Sequence, residues 1–129
     1  MRTLRELAVA LLFLAVLATT PGCLLVAVAA GATGAAYVSG DLEAKLEADP
    51  PHVVKAATSA LQELEVELQG EPDATAVDGH VVGRTALQKK VDIAVKRESE
   101  TTSKIWIRIN TFGDEDLSRQ ILEKIRSKL

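Results

Sequence analysis

Cysteine and histidine are almost missing from this chain. One thiol, Cys23, and two histidines, His52 and His80, stand among 129 residues. A lone cysteine excludes an internal disulfide. So thin a supply also excludes a zinc centre built on a Cys/His cluster, and no metal or cofactor is implied. Aromatic residues are as scarce, with one Trp, one Tyr and two Phe, so stacking platforms for bases are absent. Basic residues are not in excess: 15 Lys and Arg face 18 Asp and Glu, a net charge of −3. That balance leaves no electrostatic footprint for nucleic acid, and none is expected as a partner. A G-x-S-x-G nucleophile motif is also missing. An enzyme is therefore not expected.

What is present is unevenly spread. Residues 7–38 carry no charge, whereas the remainder has the mixed composition of a soluble domain. The length suits one small domain.

Arg2 and Arg5 precede the apolar run "LAVALLFLAVLA", residues 7–18. A basic start followed by a short apolar run has the shape of a secretory signal peptide. The run is shorter than the roughly 17–25 residues of a spanning helix. In "TTPGC", residues 19–23, Pro21 and Gly22 oppose helix continuation and open an accessible stretch before Cys23. The layout resembles a bacterial lipoprotein signal, in which a small residue, here Gly22, precedes a cysteine that is acylated and becomes the new N-terminus. The resemblance implies a signal peptide over 1–22, lipidation at Cys23, an apolar Gly/Ala-rich tether over 23–37 and a single domain over 38–129. Membrane lipid, reached through acylated Cys23, is then the first partner, and an unidentified envelope protein the second. Leu24 follows the cysteine, which in lipoproteins of the enteric type implies the outer membrane, with the domain facing the periplasm.

The same residues admit another arrangement. As one helix, residues 7–38 could cross about 30 Å of hydrocarbon as an uncleaved anchor. Ala27, Gly31 and Ala35 repeat at four, as do Ala30 and Gly34, and such spacing lets apolar helices approach closely. The protein would then self-associate through residues 24–38. A spare thiol is a liability in an oxidising compartment, and acylation would consume it, which favours the lipoprotein arrangement.

Beyond the tether, "DLEAKLEA" alternates, with Leu42, Ala44, Leu46 and Ala48 on one side and charges on the other. Period two with one wet face predicts a half-buried strand. Asp49 then caps a helix with Pro50 and Pro51 in its first turn, and Val53, Val54, Ala57, Leu61 and Leu64 form its apolar stripe. "EVELQGE" alternates with Val66 and Leu68 inward, and "HVVGRTA" reads as a short strand. "KKVDIAVKR" places Val91, Ile93 and Val95 on one face, and "KIWIRIN" places Ile105, Ile107 and Ile109 inward with Trp106 and Arg108 outward. A last helix follows Asp114, with Leu117, Ile121, Leu122 and Ile125 as its stripe. Its acidic start and basic end complement the helix dipole. The order is β-α-β-β-β-β-α. It predicts an α+β two-layer sandwich: an antiparallel sheet of four to five strands with two helices on one face.

"IRINTFGDEDLSRQILEKI", residues 107–125, resembles the C-terminal signature of a family of small bacterial lipoproteins of unknown function. The glycine-cysteine junction, the Gly/Ala segment and Tyr37 belong to the same likeness. It implies an envelope lipoprotein and supplies no activity.

Few side chains stand out as chemistry. His52 at a helix start and His80 after Asp78-Gly79 read as surface histidines. The acidic run Asp114, Glu115 and Asp116 fits dipole complementation better than a cation site, since adjacent carboxylates on a helix start splay apart. Ser118 and Arg119 are placed on the exposed side of the last helix, where a partner could touch them. Trp106 and Arg108 face away from the helices, and these residue types are enriched in binding hot spots. They are the candidate partner-binding residues, framed by Lys90, Lys96 and Arg84.

Overall fold

A computed structural model describes residues 34–129. The domain over Ala35–Leu129 is built from one sheet and two helices. In chain order the elements are β1 (Ala35–Val38), β2 (Asp41–Leu46), α1 (Pro50–Glu63), β3 (Glu67–Leu68), β4 (Asp73–Ala74), β5 (Asp78–Arg84), β6 (Lys90–Arg97), β7 (Ser103–Ile109) and α2 (Glu115–Arg126). The seven strands form a single sheet in the order β1-β2-β7-β6-β5-β3, with β4 also paired to β5. Every pairing is antiparallel. The α+β class and the two helices are as the sequence pattern predicts. The strand count is higher than four to five because the two-residue β4 forms in the turn-rich segment and because β1 lies in the tether region.

β1 takes in Ala35–Val38, ahead of the 38 boundary drawn from composition. Its residues are uncharged and mostly small, so alternation alone does not mark them. Pairing does: Ala35 and Tyr37 lie opposite Ala44 and Leu42 and pack against the core. Ser39 and Gly40, both at positive φ, make the two-residue turn, the chemistry of a tight hairpin.

The buried face of the sheet carries Leu42, Ala44 and Leu46 from β2, Val91, Ile93 and Val95 from β6, and Ile105, Ile107 and Ile109 from β7. Burying each of the larger side chains contributes roughly 1.5–3 kcal/mol. α2 packs on β2 and β7, α1 packs on β5 and β6, and the helices touch each other. Glycines set the second contact. Gly79 and Gly83 alternate with Val81 on the face of β5 toward α1, and a Cβ at Gly79 would collide with Val54 Cγ2 of that helix. Absent side chains here let α1 approach the strand.

Helix starts follow the sequence closely. Asp49 caps α1 by accepting from the His52 amide at 3.1 Å, with prolines in the first turn. Asp114 caps α2 by accepting from the Leu117 amide at 3.1 Å. One expectation is corrected. Ser118 is fully buried, not exposed. It precedes Ile121 by three positions and Leu122 by four, so helical geometry turns it toward the sheet with them.

Candidate functional site

The helices leave the other face of the sheet uncovered, and strand alternation stocks it with polar side chains. Registered pairs build it row by row. Asp41, Arg108 and Asp92 form one row, Glu43, Trp106, Ala94 and His80 the next, and Lys45, Lys104, Lys96 and Asp78 the third.

Arg108 is the most heavily bonded side chain of the face. Its Nε and Nη2 donate to the Asp41 carboxylate at 2.7 and 2.8 Å. Nη1 donates to the Thr111 carbonyl at 3.0 Å and Nη2 to the Ser39 carbonyl at 3.1 Å. A planar guanidinium suits this bidentate pairing. Arg108 thereby ties the β1–β2 turn to the loop between β7 and α2. Asp41 holds its guanidinium charged even more firmly than usual.

Trp106 is half-buried, with Lys104 Nζ 5.0 Å from the ring centroid. Lys104 also pairs with Glu43 at 2.7 Å. That hydrogen bond holds the Glu43 carboxyl below the usual carboxylate range, against partial desolvation, and the Trp106 indole N–H adds to it. Beside Trp106 lies an open depression of about 440 Å³ lined by His80, Ala94, Lys96, Asp78 and Asp73. His80 Nε2 bonds Asp92 at 2.7 Å, and Lys90 reaches the same carboxylate at 3.2 Å. Burial pushes the Asp92 carboxyl up, but the bonds from His80 and Lys90 outweigh it and leave it below its ordinary range.

Of the residues expected to frame Trp106, Lys96 does so. Lys90 is committed to Asp92. Arg84 faces the same side but sits opposite Lys90 and donates to the Gln88 carbonyl at 3.3 Å, away from Trp106. Arg119 is exposed and pairs with Glu115 at 2.7 Å. Cys23 lies outside the described residues.

A residue that sequence reasoning missed is Phe112. It is 91% exposed on the loop between β7 and α2. The loop is well braced: Arg108 holds the Thr111 carbonyl, Asn110 bonds Lys90 at both its amide and its side chain, and Asp114 is locked by Lys89 at 2.7 Å. Among the described residues Phe112 is the most exposed large apolar side chain. The sequence signal was an apolar residue inside an otherwise polar turn, "NTFGDE".

A hollow of about 810 Å³ lies where the start of α1 meets the β6–β7 turn and the chain's last residues. His52 lines it, and its Nδ1 is bonded to the Asp49 carboxylate at 2.5 Å. Both histidines are thus paired with carboxylates. Among the described residues no group of three or more His, Cys, Asp or Glu side chains could hold a metal ion. Nor, among them, is any helix long and apolar enough to cross a membrane.

None of the curated proteins compared with this chain matches it. The profile of one family does match, over residues 6–128, and it takes in the apolar N-terminal segment, the sheet and both helices alike. The chain belongs to that family, DUF3568, whose members are proteins of unknown function.

Proposed function

We propose that this protein is a lipid-anchored module of the bacterial cell envelope, held at the outer membrane through acylated Cys23 and facing the periplasm. In this reading it is not an enzyme and works by binding an envelope protein. The observation that carries the binding role is Phe112, 91% exposed on a loop braced by Arg108. Trp106, two residues before Arg108 on the same strand face, extends the docking surface toward Lys96. Arg108 serves that surface by positioning the loop, because four of its five N–H donors are already engaged. The thin supply of histidine and the lack of a G-x-S-x-G nucleophile motif support a non-enzymatic role. Anchoring is supported by the sequence: the sole cysteine follows Gly22 after a short apolar run and lies 12 positions before Ala35. Extended, such a linker reaches at most about 40 Å, so the domain would work close to the bilayer.

The test is crosslinking in intact cells, followed by mass spectrometry of the recovered chain. Wild type should begin at an acylated Cys23 and give discrete crosslinks to an envelope protein. Phe112→Ser should keep the circular dichroism spectrum and lose those crosslinks. Cys23→Ser should leave an unprocessed precursor. A wild-type chain that begins at Met1 with a free thiol overturns the anchor, and crosslinks that survive Phe112→Ser overturn the docking surface.

A further inference from the structure

We infer that the outer edge of β1 is a strand-addition site for a second copy of this chain. The inference goes beyond the docking reading and uses none of its residues. β1 is an end strand of the sheet, and among the described residues no strand pairs with its outer side. In a two-residue hairpin the residues flanking the turn exchange both hydrogen bonds. Val38 and Asp41 are that pair, and Ala36 with Glu43 is the next of its kind. Alternation then turns the N–H and C=O groups of Ala35 and Tyr37 outward, ready for another strand.

Sheets guard exposed edges with charge, proline, bulges or very short strands. The opposite edge of this sheet has such guards. It is split into two strands of two residues each, β3 and β4, with Glu67, Pro72 and Asp73 along it. β1, "AAYV", has no charge and no proline. Its neighbour Gly34 adds no side chain.

A second copy fits this edge by symmetry. A two-fold axis through Ala36, perpendicular to the sheet, sets Ala35 opposite the partner's Tyr37 and Tyr37 opposite the partner's Ala35. About four backbone hydrogen bonds close the pair. Two alanine methyls meet at the axis, Val38 lies opposite the partner's Gly34, and no like charges are brought face to face. The two chains start their strands roughly 8 Å apart, so both N-terminal segments can lead to one patch of membrane. So small an interface is weak in free solution and is populated where copies are crowded together.

Oxidative crosslinking of the full chain in its native membranes tests this. Residue 36 would form a non-hydrogen-bonded pair with its own mate, about 4.5 Å between Cα atoms, within disulfide range. Residue 38 and its mate would stand about 14 Å apart, out of range. After copper-phenanthroline oxidation, Ala36→Cys should yield a peptide pair linked through position 36, at least tenfold above the position-38 pair from Val38→Cys. Both positions are exposed, so neither change threatens the fold. Adding Ala35→Pro to Ala36→Cys removes an outward N–H without touching the β1–β2 ladder and should cut the yield severalfold. No product at position 36, equal yields at 36 and 38, or a yield unmoved by the proline overturns the proposal. The ratio between positions 36 and 38 decides the matter even where the proline disturbs the hairpin.

Discussion

Ser118 shows how much one hydroxyl can cost. It sits on the buried stripe of α2, and among the described residues its Oγ has no hydrogen-bond partner. A buried hydroxyl left unpaired costs on the order of 1–3 kcal/mol, and serine is also a poorer helix former than alanine. Ser118→Ala should therefore stabilise the domain by about 1 kcal/mol. For a domain of this size that is a rise of several degrees in melting temperature, measurable by calorimetry. An unchanged or lower melting temperature would mean that the hydroxyl is satisfied by water. Arg108 teaches the opposite lesson at the same scale. Its position on the open face was legible from the period-two pattern of "KIWIRIN", but its partners were not. Asp41 lies 67 residues away in sequence, and only the β2–β7 register brings the two together.

At the scale of elements, the caps are local and the strands are not. Asp114 serves α2 twice, accepting from the Leu117 amide and from Lys89 Nζ at 2.7 Å. The Lys89 hydrogen bond, helped by that from the amide, holds its carboxyl below the ordinary range. Asp114→Ala should cost about 1 kcal/mol, as loss of a cap does. Lys89→Ala removes only a half-buried ion pair, leaves the cap in place and should cost less, within about 0–1 kcal/mol. Thermal unfolding of the two variants checks the order, and a larger loss in Lys89→Ala would contradict it. The caps were readable because each is made within one helical turn. β1 was not, because "AAYV" has no charge alternation and continues the uncharged run before it. Its place in the sheet comes from the Ser39–Gly40 turn and from Leu42 and Ala44 across the ladder.

At the scale of the molecule, charge pairing ties stability to pH. Glu43, Asp49, Glu63, Asp92 and Asp114 are all held below their ordinary values of 4.5 or 3.8. Partners span the fold: Lys128 and Lys124 reach Glu63, joining the chain's end to α1, and His52 reaches Asp49. A carboxyl lowered on folding favours the folded state while ionised. That contribution is fully present above its unfolded pKa and is lost as pH falls through the lowered folded value. The domain should therefore hold its melting temperature from pH 7 to about 5 and lose it progressively below about pH 4.5. The pairs are mostly exposed, so the loss is gradual and is reduced by salt. Melting curves at pH 7, 5 and 3 test the trend, and a domain that melts higher at pH 3 would contradict it.

By itself the sequence determined the α+β class, both helices with their capping aspartates, the inward residues of β2, β6 and β7, and the outward pointing of Trp106 and Arg108. These follow from periodicity and from contacts within a few residues, where chain geometry leaves little choice. Only the tertiary structure decided that β1 joins the sheet, that Arg108 is consumed by Asp41, that Ser118 is buried and that Phe112 stands bare. Each of those depends on which strand lies beside which. That choice is settled by the packing of α1 and α2 over one face and by the register between residues far apart along the chain.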